Sequence, residues 1–206
     1  MGSWISQFLF PERCSACRTP GAALCALCIS RIKPAPPLPP HQYAVFDYGN
    51  RSVQRAIWEL KYYRHSELAR VLARSAATHI RTLLADIERP ILVPIPGSTN
   101  KVRIRGYNQS VLIATWWRRH IPGACVCTLL HKQRFTTPQA RCTRRERLTN
   151  VAGSMVCDRV LDAARTYVLI DDVITTGATI TEAVRALSER GARRIIAIAL
   201  AHGYKK

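Results

Sequence analysis

The chain has 206 residues, of which 48% are hydrophobic, and its 31 Lys and Arg outnumber 13 Asp and Glu, giving a formal net charge of +18. This length allows one good core with a small appendage, and a membrane span is excluded because no stretch approaches roughly 18 consecutive apolar residues. The charge favours anionic partners, namely small phosphorylated molecules, nucleic acid or acidic membrane surfaces.

The first residues predict a short apolar segment rather than a signal peptide. They contain no cationic stretch followed by a long apolar one, and we expect Trp4, Ile5, Phe8 and Leu9 to dock on the protein. Without export, we expect a cytoplasmic protein whose eight cysteines are reduced thiols or metal ligands rather than disulfides.

Four of the cysteines form two CxxC pairs. Cys14 and Cys17 are separated from Cys25 and Cys28 by seven residues. Two such pairs supply four thiolates, which suit a closed tetrahedral Zn²⁺ site. The alternatives are a redox dithiol or four unrelated thiols. A zinc ion here would stabilise a segment that is too short to have a core of its own.

A proline-rich stretch follows the cysteines and predicts a domain boundary. Residues 33–40 are KPAPPLPP, a composition typical of a stiff, extended connector. A ligand for a proline-binding partner is the alternative. We predict three parts: an N-terminal segment with the zinc clip at 1–32, a proline-rich linker at 33–42, and a main domain at 43–206.

The main domain alternates between strand and helix patterns. Strands are predicted at 43–48, 91–96, 126–130, 167–170 and 194–200. Helices are predicted at 51–63, 66–87 and 108–119, and from the turn at 175–179 to 190. Gly191 suits the end of that last helix. Strands that alternate with helices predict an α/β fold with a mostly parallel sheet flanked by helices.

Clustered cations follow the strand predicted at 91–96. Its VPIP end leads into Gly97, and Lys101, Arg103 and Arg105 come soon afterwards. A cationic loop at the end of a strand is well placed to meet a pyrophosphate, because guanidinium and ammonium groups both suit phosphate oxygens. The alternative is a solvated basic loop.

Residues 167–179, YVLIDDVITTGAT, carry the most specific pattern of the chain. An apolar strand ends in Asp171 and Asp172, which would project into the crevice where open α/β sheets bind ligands. The next turn opens a helix whose first N–H groups can bind an anion, and it comprises Thr175, Thr176, Gly177, Ala178 and Thr179. The carboxylates suit sugar hydroxyls, while a terminal phosphate occupies the helix start. The alternative is a buried strand with an acidic end and a capped helix.

The segment IDDVITTGAT resembles the phosphoribosyl pyrophosphate (PRPP) motif of type I phosphoribosyltransferases. Neither a P-loop nor a G-x-G-x-x-G fingerprint occurs, so the rival nucleotide folds lose support. An acidic pocket of the response-regulator type does not explain the turn. The resemblance implies a type I phosphoribosyltransferase-like fold in which Asp171 and Asp172 bind the ribose 2′ and 3′ hydroxyls and residues 175–179 hold the 5-phosphate.

Other segments resemble the ComF/GntX family, a branch of that fold associated with DNA uptake in competence. VPIP followed by RGYNQS is similar to the family's VPVP…RGFNQ segment, and Lys61-Tyr62-Tyr63 resembles its KY motif. The resemblance implies that Mg²⁺ binds with PRPP, bridging pyrophosphate and ribose oxygens. It also implies a pyrophosphate loop that contains Gly97, Lys101, Arg103 and Arg105.

The basic segment 132–150, with six cations and one acidic residue, is similar both to this family and to the flexible loop of glutamine PRPP amidotransferase. The resemblance implies that the segment closes over PRPP and excludes water. The residues that carry the similarity are Arg134, Thr136, Gln139, Arg147 and Asn150. The alternative is a solvated basic arm.

Together these resemblances imply a PRPP-binding, ComF-type protein of DNA uptake, either a transferase or a non-catalytic PRPP sensor. The implied partners are PRPP and single-stranded DNA or other competence proteins. No acceptor pocket or oligomeric state is indicated. A single-stranded nucleic-acid binding module is the alternative, favoured by the charge and by the run Trp116, Trp117, Arg118 and Arg119.

Overall fold

The computed structural model of the protein describes residues 12–133 and 153–203. In chain order, the elements are α1 (Ala26–Ser30), β1 (Gln42–Asp47), α2 (Arg51–Tyr62), α3 (Glu67–Leu83), β2 (Ile91–Pro94), α4 (Thr99–Arg105), α5 (Gln109–Arg118), β3 (Cys125–Val126), β4 (Leu130–Lys132), β5 (Met155–Cys157), β6 (Thr166–Ile174), α6 (Ala178–Ser188) and β7 (Arg194–His202). None of these described helices is long and apolar enough to cross a membrane.

The main sheet has five strands in the order β1-β7-β6-β2-β3, and every neighbouring pair is parallel. The predicted α/β class with a parallel sheet is therefore confirmed. β6 pairs with β7 as far as Ile174, but it pairs with β2 only as far as Ile170. Residues 171–174 consequently extend past the end of β2, at the edge where the strands have their carboxyl ends.

Strand β6 is covered on both faces of the sheet, which explains its nearly continuous apolar sequence. Because side chains alternate along a strand, Val168 and Ile170 pack in one core cluster, whereas Tyr167 and Leu169 pack in the other. The first cluster contains residues of α2, α3 and α5, and the second contains residues of α6, β4 and β5. The strand that carries the two aspartates is thus held on both sides.

Asparagine caps set the starts of α2 and α5. Asn50 Oδ1 accepts a hydrogen bond from the Ser52 N–H at 2.9 Å, and Asn108 Oδ1 accepts one from the Ser110 N–H at 3.0 Å. Such a cap contributes about 1 kcal/mol to helix stability. The helices predicted at 51–63 and 108–119 are confirmed to within one residue at each end.

The cysteine-bearing segment packs on the main domain. Cys14, Leu24 and Cys28 lie in the same core cluster as α2 and α3. Ser15 Oγ donates a hydrogen bond to Glu59 Oε2 on α2 at 2.8 Å. The segment therefore shares a core with the helices instead of relying on its own few apolar residues.

The start of the proline-rich stretch lies alongside β1. The Ala35 N–H donates to the Val45 carbonyl at 3.0 Å, and the Asp47 N–H donates to the Lys33 carbonyl at 3.0 Å. These backbone bonds anchor the stretch to the sheet edge that β1 forms. The division at 1–32, 33–42 and 43–206 stays a prediction.

Three expectations about elements need correction. The strand predicted at 126–130 is wrong: its apolar residues are divided between β3, in the main sheet, and β4, which pairs antiparallel with β5. The cationic segment after β2 is the short helix α4, which ends at Gly106 with a left-handed φ of 85°. β6 runs through both aspartates to Ile174 because its pairing with β7 continues to His202. The first and third corrections depend on pairing between strands that are distant in sequence.

Candidate functional site

A polar cavity of about 310 Å³ opens at the carboxyl edge of the sheet. Its lining comes from the loop just after β2, from the carboxyl end of β6, and from parts of α2, α4, α5, α6 and β4. We call it the carboxyl-edge cavity. Parallel α/β sheets usually bind their ligands at such a position, because the strand ends leave a crevice between connecting loops.

Both predicted acidic residues line this cavity. The ammonium group of Lys61 on α2 pairs with Asp172 Oδ1 at 2.8 Å. Asp171 Oδ1 accepts hydrogen bonds from Ser110 Oγ at 3.2 Å and from the Asp172 N–H at 2.8 Å. The carboxylates are therefore held by three different elements at the edge of the sheet.

The two carboxylates differ in their electrostatics. Burial and then the charge of the neighbouring Asp172 carboxylate raise the pKa of Asp171 to about 7, a net result that includes the lowering effects of the Asp172 N–H, Lys61 and Ser110. Burial lowers the pKa of Lys61, but attraction to Asp172 outweighs this and the net shift is upward. Lys61 is thus a permanent cation, whereas Asp171 can hold or release a proton near neutral pH.

Four cations share the cavity with these two acids. They are Lys61 on α2, Lys101 and Arg105 on α4, and Lys132 on β4. Burial lowers the pKa of Lys132, and the charge of Lys101 lowers it further. An excess of cations over carboxylates suits a ligand that carries both phosphates and hydroxyls.

The loop between β2 and α4 approaches the start of α5 closely at Gly97, which lines the cavity. A Cβ at this position would lie 2.8 Å from Val102 Cγ2 and 3.8 Å from Asn108 Cγ, so glycine permits the close turn. Arg103 is exposed and lies outside the lining of this cavity. The structure therefore brings three of the four predicted pyrophosphate residues together.

The turn between β6 and α6 forms another wall of the cavity. Gly177 has a left-handed φ of 74° and precedes the first residue of α6, Ala178. Thr179 lines the cavity, whereas Thr175 and Thr176 are exposed. A helix start with this geometry presents backbone N–H groups that can bind an anion.

The four predicted metal ligands lie together. The sulfur atoms of Cys14, Cys17, Cys25 and Cys28 are all within 4.8 Å of one another. A tetrahedral Zn²⁺ with bonds of about 2.3 Å would place thiolates roughly 3.8 Å apart, so a small contraction suffices. The Cys25 N–H donates to Cys14 Sγ at 3.4 Å, and a hydrogen bond with the Thr19 hydroxyl lowers the pKa of Cys17 to about 6. The residues fit a metal.

Among the described residues, the aromatic side chains that could stack on nucleic acid differ in their exposure. Trp117 is 0% exposed and its Nε1 donates to the Ala73 carbonyl at 3.2 Å, so it is a core residue. Trp58, Tyr62 and Tyr63 at the end of α2 are instead 49%, 58% and 64% exposed. We call these three residues the aromatic surface. Arg105 lies over Tyr62 at 5.2 Å, which connects this surface to the cavity.

Sequence reasoning did not name Lys61, Gln109 and Ser110 as site residues, and it included Lys132 only as the start of the segment expected to close over PRPP. All four line the cavity. The signals were present in part, because the KY and NQS segments carry three of them. The predicted flexible-loop residues Arg134, Thr136, Gln139, Arg147 and Asn150 lie outside the described residues.

The chain is similar to several known proteins. A family model described as the phosphoribosyl transferase domain matches residues 144–206. The DNA utilization protein YhgH of Salmonella typhi is 25% identical over 174 residues, which cover 83% of this chain and 74% of that protein. Competence protein F of Haemophilus influenzae is 26% identical over 145 residues, which cover 69% of this chain and 63% of that protein.

A solved structure described as the allosteric regulatory enzyme of purine biosynthesis is 20% identical, with a TM-score of 0.40 and coverage of 68% of this chain and 26% of that one. The family model and the parallel sheet together agree with the expected phosphoribosyltransferase-like fold. Residues 144–206 therefore match the phosphoribosyl transferase domain, and the chain as a whole is similar to the DNA utilization protein YhgH and to competence protein F.

Proposed function

We propose that this chain is a ComF-type member of the phosphoribosyltransferase group that binds PRPP together with Mg²⁺ and acts in the uptake or use of DNA. The matched domain and the names of the two relatives support this proposal. The observation that carries it is the carboxyl-edge cavity, where acids, cations and a helix start from distant parts of the chain meet.

Each part of PRPP has a complementary group in the proposal. Asp171 and Asp172 accept hydrogen bonds from the ribose 2′ and 3′ hydroxyls. The 5-phosphate binds at residues 175–179, where the N–H groups at the start of α6 are donors. Gly97, Lys101 and Arg105 face the pyrophosphate, because they lie on the side of the cavity formed by the loop after β2.

The residues present fit Mg²⁺, which prefers oxygen ligands and usually binds through one or two carboxylates plus substrate phosphates. Asp171 and Asp172 would supply these carboxylates. The pKa of Asp171 is about 7, so part of it is protonated at neutral pH, and a nearby Mg²⁺ would favour the ionised form. When bound, Mg²⁺ would neutralise part of the negative charge of the pyrophosphate.

In a transfer reaction, the bond between ribose C1 and the pyrophosphate oxygen breaks, pyrophosphate leaves with the electron pair, and a nitrogen of the acceptor nucleobase forms the new bond to C1. Lys101 and Arg105 would stabilise the charge on the leaving group, and the two aspartates would hold the ribose as it becomes cationic. Segment 132–150 is proposed to close over the site and exclude water. Binding without pyrophosphate release for any nucleobase would indicate a non-catalytic PRPP sensor.

The four-cysteine cluster is proposed to hold a structural Zn²⁺, as the clip of an N-terminal part at 1–32. Thiolate ligands persist in a reducing compartment, which supports a cytoplasmic location. The sulfur arrangement and the shared core with α2 and α3 support a stabilising role.

Titration calorimetry tests the central proposal. PRPP should bind saturably with Mg²⁺, and the double variant Asp171→Asn, Asp172→Asn should bind at least about 100-fold more weakly, because it loses two charged hydrogen-bond acceptors. Asp86→Asn, an exposed aspartate away from the cavity, is the matched control and should bind like the wild type. Equal binding by the double variant and the control would reject the proposed ribose site.

Single-stranded DNA is a proposed second partner, and the aromatic surface favours it. Exposed aromatic rings can stack bases while nearby cations follow the phosphate backbone. Trp58 and Tyr63 lie 4.8 Å apart between ring centroids, and Arg64, Lys101 and Arg105 border the same surface.

A further inference from the structure

Three consecutive polar residues, Asn108, Gln109 and Ser110, line the carboxyl-edge cavity at the start of α5. Two of them have structural partners. Asn108 Nδ2 donates to the Ile95 carbonyl at 2.8 Å, which ties the helix start to the end of β2. Ser110 Oγ donates to Asp171 Oδ1 at 3.2 Å. These bonds explain why positions 108 and 110 are polar.

Gln109 is different. It is only 4% exposed, and its Nε2 has no hydrogen-bond partner among the described residues. Buried polar groups in folded proteins almost always have partners, because an unpaired donor loses its bonds to water without replacement. A leucine of similar size would avoid this cost. An unpaired amide here therefore points to a partner that the protein alone does not supply.

The surroundings of Gln109 define the chemistry of that partner. It is the first residue of α5, a helix of 10 residues whose start carries a partial positive charge. Lys101, Arg105 and Lys132 line the same cavity. A donor amide among cations and a helix start is complementary to an anionic oxygen. A glutamate would suit the helix start equally well, but it would place a third carboxylate beside Asp171 and Asp172.

The start of α5 lies on the pyrophosphate side of the cavity. A Cβ on Gly97 would come within 3.8 Å of Asn108 Cγ, so the loop after β2 abuts the residue just before Gln109. The turn proposed for the 5-phosphate is contributed by a different wall, at the start of α6. Gln109 is therefore closer to the wall proposed for the pyrophosphate than to the wall proposed for the 5-phosphate.

We propose that Gln109 is a ligand-binding residue whose amide, buried in the ligand-free protein, turns toward the cavity and donates a hydrogen bond to a pyrophosphate oxygen. This inference rests on the proposed binding of PRPP, and it adds a neutral donor at the start of α5 to the cationic groups of α4. Gln109 would then favour the binding of ligands that carry a pyrophosphate, such as PRPP, over ligands that lack it, such as ribose 5-phosphate.

The test compares PRPP with ribose 5-phosphate, both titrated with Mg²⁺ by calorimetry. Gln109→Leu should weaken PRPP binding by about 10- to 100-fold, the range for a lost hydrogen bond to a charged group. Ribose 5-phosphate, which lacks the pyrophosphate, should change by less than about threefold. Gln109→Glu should weaken PRPP binding further through charge repulsion. The matched control is Gln54→Leu, an exposed glutamine on α2.

Thermal unfolding of the ligand-free variants separates binding from structure. Gln109→Leu should unfold at the same temperature as the wild type or higher, because it removes an unpaired buried donor. A lower unfolding temperature with unchanged PRPP affinity would mean that Gln109 is structural, and the inference would be overturned. Equal losses for PRPP and ribose 5-phosphate would overturn the assignment to pyrophosphate. Should Gln109→Leu fail to fold, Gln109→Met, which is unbranched like glutamine and lacks the amide, takes its place in the same comparison of PRPP with ribose 5-phosphate.

The two proposals fail differently. If the wild type binds no PRPP with Mg²⁺, the proposed function fails and the role of Gln109 fails with it. If the wild type binds PRPP and Gln109→Leu binds equally well, only the inference about Gln109 is rejected.

Discussion

At the scale of single residues, the neighbouring aspartates are kept unequal. Ionising both of two adjacent carboxylates in a partly buried site costs free energy, because like charges repel more strongly where water is scarce. Lys61 pairs directly with Asp172, while Asp171 is left with hydrogen bonds and a pKa raised to about 7 by burial. Asp171 is therefore the residue whose charge a ligand can change.

PRPP affinity should depend on pH through Asp171. If the bound state needs the ionised carboxylate, affinity rises with pH up to about 7 and levels off above it, with a slope approaching tenfold per pH unit below. Calorimetry across this range checks the prediction. Asp171→Asn should remove this dependence and leave only that of the ligand's own phosphates. A wild-type profile identical to that of the variant would contradict it.

The same titration acts on the stability of the free protein. Because burial raises the pKa of Asp171 above its unfolded value of about 4, the folded state binds more protons between about pH 4 and 7, and stability falls as pH rises through this window. The stabilisation by Asp171→Asn should therefore be larger at about pH 8 than at about pH 5. Thermal unfolding of the wild type and of Asp171→Asn at both pH values measures this difference.

At the scale of elements, α2 links the cysteine cluster to the cavity. Glu59 on this helix accepts a hydrogen bond from Ser15, and the Arg55 guanidinium donates to the Ala16 carbonyl at 3.0 Å. Two residues after Glu59, Lys61 reaches Asp172. The segment that holds the cysteines thus braces the helix that supplies a cation to the site.

Metal removal should therefore affect both stability and binding. We expect about one Zn²⁺ per chain, and Cys28→Ser should lower metal content and reduce the unfolding temperature by on the order of 10 °C. PRPP affinity should fall as well, because α2 loses its support. Metal analysis and thermal unfolding check this, with Cys125→Ser on β3 as the matched control. A metal-free wild type with the stability of Cys28→Ser would refute the zinc assignment.

At the scale of the whole molecule, the same basic side chains border two neighbouring surfaces, the carboxyl-edge cavity and the aromatic surface. Lys61, Lys101 and Arg105 border both the carboxyl-edge cavity and the neighbouring cavity of about 470 Å³ beside the aromatic surface. A small phosphorylated ligand and a nucleic-acid strand would therefore use some of the same cations. This arrangement suits a protein that handles both.

Binding of oligothymidylate should weaken steeply with salt, since each phosphate contact releases counterions. The double variant Trp58→Ala, Tyr63→Ala should bind about 10-fold or more weakly through lost stacking, whereas Tyr43→Ala, also exposed but on β1, should not. Fluorescence anisotropy at several salt concentrations measures both effects. Binding should survive Asp171→Asn; unchanged binding by the double variant would eliminate the aromatic surface as the site.

Much of the site could be predicted because its signals are local. A strand, an acidic pair and a turn that opens a helix are neighbours in sequence, so the relative positions of residues 167–179 follow largely from local structure. The CxxC pairs are local in the same way, and their sulfur atoms do cluster. By contrast, the placement of Arg103 outside the cavity depends on the rotation of α4, which the basic composition of the segment does not encode.

The amino-acid sequence by itself determined the alternation of strands and helices, the parallel sheet, and the acidic and cysteine motifs, because apolar periodicity and turn chemistry act over a few residues. Only the tertiary structure decided that Lys61 pairs with Asp172, that Trp117 is buried while Trp58 is exposed, and that Gln109 lacks a partner among the described residues. Those facts depend on which distant segments pack together, and the free energy of that packing is a property of the whole core.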